Sequence, residues 1–160
     1  MSLDQGSSHF IVKRVAALSS VDISSTITAF IAYLAGHEGS EALLAINFGF
    51  VMLPHFTLTA FSTFVDTLRL AGDEGDFSRP VDCRWSFLAE APEGVTSSCG
   101  AHMAREAPLK DPSRFDYIVV CGGLLHRGEV MTDGVRQFLH DADKAGVTLI
   151  GLCTGSLLLA

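Results

Sequence analysis

A chain of 160 residues, 48% hydrophobic and 18% charged, is long enough for one domain with a sizeable core and gives no reason to expect two. Its formal net charge of -7 works against a polyanion-binding surface, because nucleic-acid affinity depends on Lys and Arg neutralising phosphates. Cys83, Cys99, Cys121 and Cys153 form no C-x-x-C pair and the histidines no H-x-x-x-H pair, so neither a metal nor a cofactor is expected, and a reducing cytoplasm is the expected compartment.

Residues 1–44 read as an N-terminal extension, Ser-rich and weakly patterned until Ser25. There Ile27, Phe30, Ile31 and Leu34 recur at i, i+3, i+4, i+7, which predicts a short helix stopped by Gly36. The run from Ile27 to Ala35 is too short, and too interrupted by Thr, to cross a bilayer, so no membrane partner is expected.

Residues 45–160 read as the main domain. Ile46 to Leu53 is a largely buried strand ended by Pro54. A helix follows, with Leu58, Phe61, Phe64, Val65 and Leu68 on one face and Ala71-Gly72 closing it. Asp82 to Leu88 predicts a strand, and Val95 to Met103, broken at Gly100, a short hairpin or a pair of edge strands. Phe115 to Cys121 is a second buried strand running into Gly122-Gly123. The next helix buries Val135, Phe138, Leu139 and Ala142, with Thr132 or Asp133 as cap and Gly146 at C′. Val147 to Leu152 is the last strand, and it delivers Cys153 into a Thr154-Gly155-Ser156 turn. This alternation predicts an α/β fold with a mostly parallel sheet, whose site lies beyond the strand carboxyl ends.

A strand, a small-residue turn and a helix in that order resemble a nucleophile elbow, where strain exposes a side chain and the first helical N–H groups face an oxyanion. Phe48-Gly49-Phe50-Val51-Met52-Leu53-Pro54, Arg69-Leu70-Ala71-Gly72, Ser97-Ser98-Cys99-Gly100, Val119-Val120-Cys121-Gly122-Gly123 and Gly151-Leu152-Cys153-Thr154-Gly155-Ser156 follow one another in this chain. In that order they resemble the DJ-1/PfpI family of class I glutamine amidotransferase-like proteins, most of all the version at the N-terminus of AraC-type transcriptional regulators. The resemblance implies a flavodoxin-like three-layer sandwich, here C-terminally truncated after the elbow. It makes Cys153 the elbow nucleophile or reactive thiol, and the backbone N–H groups of Gly123 and Thr154 the oxyanion pair. A helix N-terminus favours a thiolate, which raises reactivity.

Two departures from the family weigh on the chemistry. Ala60 stands where DJ-1-like members carry a glutamate near the cysteine, and Cys121 replaces the proline that enzymatic members place before the glycine pair. The family's downstream histidine would lie beyond Ala160. Cys121, Gly122 and His126 remain possible pocket residues; Cys121 is either a strand-end core residue or a redox partner of Cys153, and Gly122-Gly123 either a simple turn or an anion loop. Phe48, Phe50, Phe56, Phe61 and Phe64 are expected to be core rather than pocket lining.

The implied function is a ligand-sensing or dimerisation domain of such a regulator. Its expected partners are a small molecule and a second copy of the chain, with DNA contacted outside these residues. The alternatives are a cysteine-dependent hydrolase, hydratase or amidotransferase-like enzyme of the same superfamily, or a non-functional fragment.

Overall fold

The computed structural model describes residues 15–18, 45–73, 77–78, 81 and 83–160; the helix expected around Ile27 lies outside the described residues. A central sheet is built from β1 (Val15–Leu18), β2 (Ile46–Met52), β3 (Cys83–Leu88), β6 (Tyr117–Cys121) and β7 (Thr148–Leu152), in the order β1-β7-β6-β2-β3. Every pairing in it is parallel. A separate antiparallel pair, β4 (Val95–Thr96) and β5 (His102–Met103), forms the expected hairpin. The strand β1 comes from the segment read as an extension and pairs with β7 through Val15–Leu149 and Leu18–Leu152.

Alternation along the strands sorts the core into two layers. Phe48, Phe50 and Met52 of β2 face α1 (Leu58–Ala71), which answers with Phe61, Phe64 and Leu68. Val51 and Leu53 point the other way, toward Val135, Phe138 and Leu139 of α2 (Asp133–Lys144). The sheet lies between the two helices, giving a three-layer α/β sandwich with the parallel sheet that the alternating pattern predicts.

The α1 layer is aromatic. Phe50 meets Phe61, Phe64 and Phe87 edge-on at centroid distances of 5.7, 5.7 and 6.1 Å, in the arrangement that ring quadrupoles favour. The expected core phenylalanines at 48, 50, 56, 61 and 64 are all buried.

The α2 helix begins and ends where the sequence predicts. The Thr132 hydroxyl accepts from the Val135 N–H at 3.2 Å, satisfying one orphan donor of the first turn. At the other end Gly146 adopts φ 79°, the left-handed C′ geometry that glycine occupies without a Cβ clash.

Candidate functional site: an elbow and a neighbouring cleft

Three loops meet at the carboxyl edge of the sheet: residues 53–57 after β2, 122–124 after β6 and 153–155 after β7. They are laced by main-chain bonds. Thr57 N–H donates to the Gly122 carbonyl at 3.0 Å, Leu124 N–H to His55 at 3.2 Å, and Gly122 N–H to Leu152 at 3.2 Å. The hairpin is tied to the first loop, as His55 N–H donates to the Thr96 carbonyl and Ser98 N–H to that of Phe56, both at 2.9 Å.

This lacing explains the glycines. A Cβ on Gly122 would overlap the backbone of Gly155, one on Gly123 the carbonyl of His55, and one on Gly155 the carbonyl of Val120. Close approach of backbones, more than a tight turn, requires glycine at all three positions. The Thr154 hydroxyl adds a bond to the Gly123 carbonyl at 2.8 Å, joining elbow and glycine pair.

Cys153 sits on this platform with φ 54°, a left-handed conformation uncommon for a residue with a side chain. Strain of this kind is the mark of a nucleophile elbow. The short helix α3 (Gly155–Leu158) leaves directly from the turn. The Ser156 hydroxyl folds back to the Cys153 carbonyl at 2.8 Å. The N–H groups of Gly123 and Thr154 take no part in the hydrogen bonds that lace the loops.

The half-buried thiol has one side-chain hydrogen bond, from the Thr57 hydroxyl to its Sγ at 3.3 Å. Among the described residues no imidazole or carboxylate hydrogen-bonds the sulfur. Ala60 is buried in the α1 layer and presents a methyl group. His126 is exposed on a 3-10 turn, Leu125–Arg127, and takes no part in the elbow's hydrogen bonds.

Cys121 opposes Leu152 in the β6–β7 register and is fully inside the α1 core. Burial pushes its thiol well up from the ordinary range, which disfavours the thiolate that disulfide exchange needs. None of the four cysteines is in a disulfide. Among the described residues no cluster of His, Cys, Asp and Glu could hold a metal ion, and no helix is long and apolar enough to cross a membrane.

A cleft at this edge lies away from the thiol. A cavity of about 220 Å³ opens on the α2 side of the first loop, between β2, the segment after β3, the hairpin and the start of α2. Its polar lining is His55, Glu90, Thr96 and Thr132, and Cys153 does not line it. Sequence reasoning missed this group of four, which no local spacing links. It also missed Thr57, whose only sequence signal is its place as N-cap of α1.

No family model matches the chain. The HTH-type transcriptional regulator GbdR of Pseudomonas aeruginosa is 31% identical over 114 residues, which are 71% of this chain and 30% of GbdR; the chain thus spans about a third of that relative's length. The crystal structure of an AraC family transcriptional regulator from Pseudomonas putida superposes with a TM-score of 0.53 at 24% identity, over 66% of this chain and 63% of that one. A DJ-1 superfamily protein from Agrobacterium tumefaciens superposes more loosely, with a TM-score of 0.48 at 17% identity over 66% and 52% of the two chains. In sequence the chain is similar to part of GbdR, and in fold to the AraC family regulator from Pseudomonas putida.

Proposed function

We propose that these residues form an effector-sensing and dimerisation domain of a cytoplasmic transcriptional regulator, with DNA contacted by residues outside them. The observation that carries this reading is the company of Cys153. Its side-chain partner is the Thr57 hydroxyl, a group that can orient a sulfur but cannot serve as a general base at neutral pH. Ala60 supplies no carboxylate. The likeness to GbdR, a transcriptional regulator, supports the same conclusion, and the net charge of -7 agrees with DNA contact being made elsewhere.

In this reading a small metabolite is the ligand, and Gly123, Thr154 and Cys153 shape the loop platform at the carboxyl edge without catalysing a reaction. The test fuses the chain to a DNA-binding domain that is active only as a dimer and scores a reporter. Dimer-dependent output that survives Cys153→Ser is expected. Amide hydrolysis or isonitrile hydration by the purified chain, lost in Cys153→Ser, would overturn the reading.

The enzyme alternative draws on a specific feature. Cys153 keeps the left-handed φ of an elbow, and two backbone N–H groups remain outside the loop lacing. A catalytic version needs an imidazole brought to the sulfur, so turnover that appears only when further sequence or a second copy is present would favour it.

A further inference from the structure

The cleft on the α2 side has the construction of a ligand site, and its lining specifies a chemistry. Its walls are aliphatic, chiefly Val51, Leu53, Leu109, Val130 and Val135, while the phenylalanines of this sheet edge pack on the other face or away from the cleft. Among the described residues Glu90 is the only acidic one in the lining, and no Lys or Arg lines it. The volume of about 220 Å³ lies below the range typical of drug-sized ligands.

Glu90 is exposed at the rim of the cleft, and its carboxylate accepts a hydrogen bond there. Its Oε2 accepts from the Thr132 hydroxyl at 2.8 Å, and the Arg105 guanidinium donates to the Glu90 backbone carbonyl at 2.9 Å. Its Oε1 rests over Gly134 in the first turn of α2, where any Cβ would overlap it. Gly134 has an ordinary helical backbone, with no positive φ to demand glycine. At this second residue of α2 the missing Cβ leaves room for the carboxylate, which a methyl group would displace. Across the cleft stand the half-buried imidazole of His55 and the Thr96 hydroxyl, which is engaged with His102 Nδ1 at 3.2 Å.

We propose that this cleft, and not the Cys153 turn, is the effector site, and that it takes a short aliphatic molecule with an N–H-bearing head, an ammonium or a primary amide. The aliphatic walls receive the carbon chain. Glu90 accepts from the head, and a carboxylate there excludes an anion of the same size. The net charge of -7 further favours cations over anions in the approach. The ligand's role as effector rests on the regulator reading above; its binding does not.

The experiment titrates the purified chain with butylammonium, butyramide and butyrate and follows backbone amide resonances. Saturable shifts at His55, Thr132 and Val135 are expected with the first two probes and not with butyrate. Glu90→Gln should weaken butylammonium binding by about tenfold, the loss expected for a charge-assisted hydrogen bond, and affect butyramide less. Gly134→Ala is the sharper variant. It displaces the Glu90 carboxylate at an ordinary helical backbone position, so the chain should fold normally and still lose about tenfold in butylammonium affinity.

Absence of saturable shifts, equal binding of butyrate, shifts confined to the Cys153 turn, or indifference to both variants would each overturn the proposal. Cleft binding in a chain whose reporter fusion ignores all three probes would sink the regulator reading alone. A reporter that responds to its effector unchanged in both variants would sink this one alone.

Discussion

The two faces of the sheet reach the carboxyl edge with different materials. On the α1 face interlocking phenylalanine rings run up to Phe56, and the half-buried Cys153 packs against them. On the α2 face the residues are mostly Val, Leu and Ile, and they stop short, leaving the cleft under His55 and Glu90. Rigid rings fill their layer and fix the loops above it, whereas short branched chains leave space where the loops diverge. The same edge therefore carries a tightly held thiol on one side and a ligand-sized void on the other.

That contrast can be broken by mutation. Phe50→Ala, which removes a ring in contact with three others, should cost about 4 kcal/mol in urea unfolding, and Leu139→Ala on the other face about 3 kcal/mol. Equal or reversed costs would show that the aromatic layer is no more tightly packed than the aliphatic one. Gly155→Ala forces a methyl group into the Val120 carbonyl, and should cost about 2 kcal/mol and raise Cys153 alkylation as the turn loosens.

Smaller effects sharpen the picture. Thr132→Ala removes the α2 cap and frees the Glu90 carboxylate; a loss of about 1 kcal/mol is expected by the same denaturation assay. At the hairpin tip, the Ser97 hydroxyl and then the Ala101 backbone hold the exposed Cys99 thiol below the ordinary thiol range. Alkylation of Cys99 should therefore rise with pH earlier than that of a free thiol, because its thiolate forms sooner. Ser97→Ala should move that profile to higher pH, and residue-resolved mass spectrometry with iodoacetamide reads both. Buried Cys121 should label only on unfolding.

The fold was largely legible in the sequence because its signals are local. The run Ile46 to Leu53, the face Leu58-Phe61-Phe64-Leu68, the Thr132 cap and the Gly146 stop each lie within one element, and each appears in the structure near its expected bounds. The short strand Val15–Leu18 was not legible. Four residues in a weakly patterned segment carry little periodicity, and pairing with β7 across the intervening chain defines them. The cleft was invisible for a related reason. Residues 55, 90, 96 and 132 meet only when parallel strands bring their carboxyl ends together, and one sequence holds no pairwise record of that meeting. Gly122 and Gly123 were noticed but undervalued, since the backbones that press on them come from distant loops.

The left-handed φ of Cys153 governs which residues the position will accept. Glycine and asparagine enter that region readily, serine fits with a cost like that of cysteine, and valine, isoleucine or threonine crowd the backbone whatever their polarity. A saturation library at this position would thus rank side chains by shape before it ranked them by chemistry. Loss of function in Cys153→Val would report a broken turn, and only Cys153→Ser separates the sulfur from the conformation that presents it.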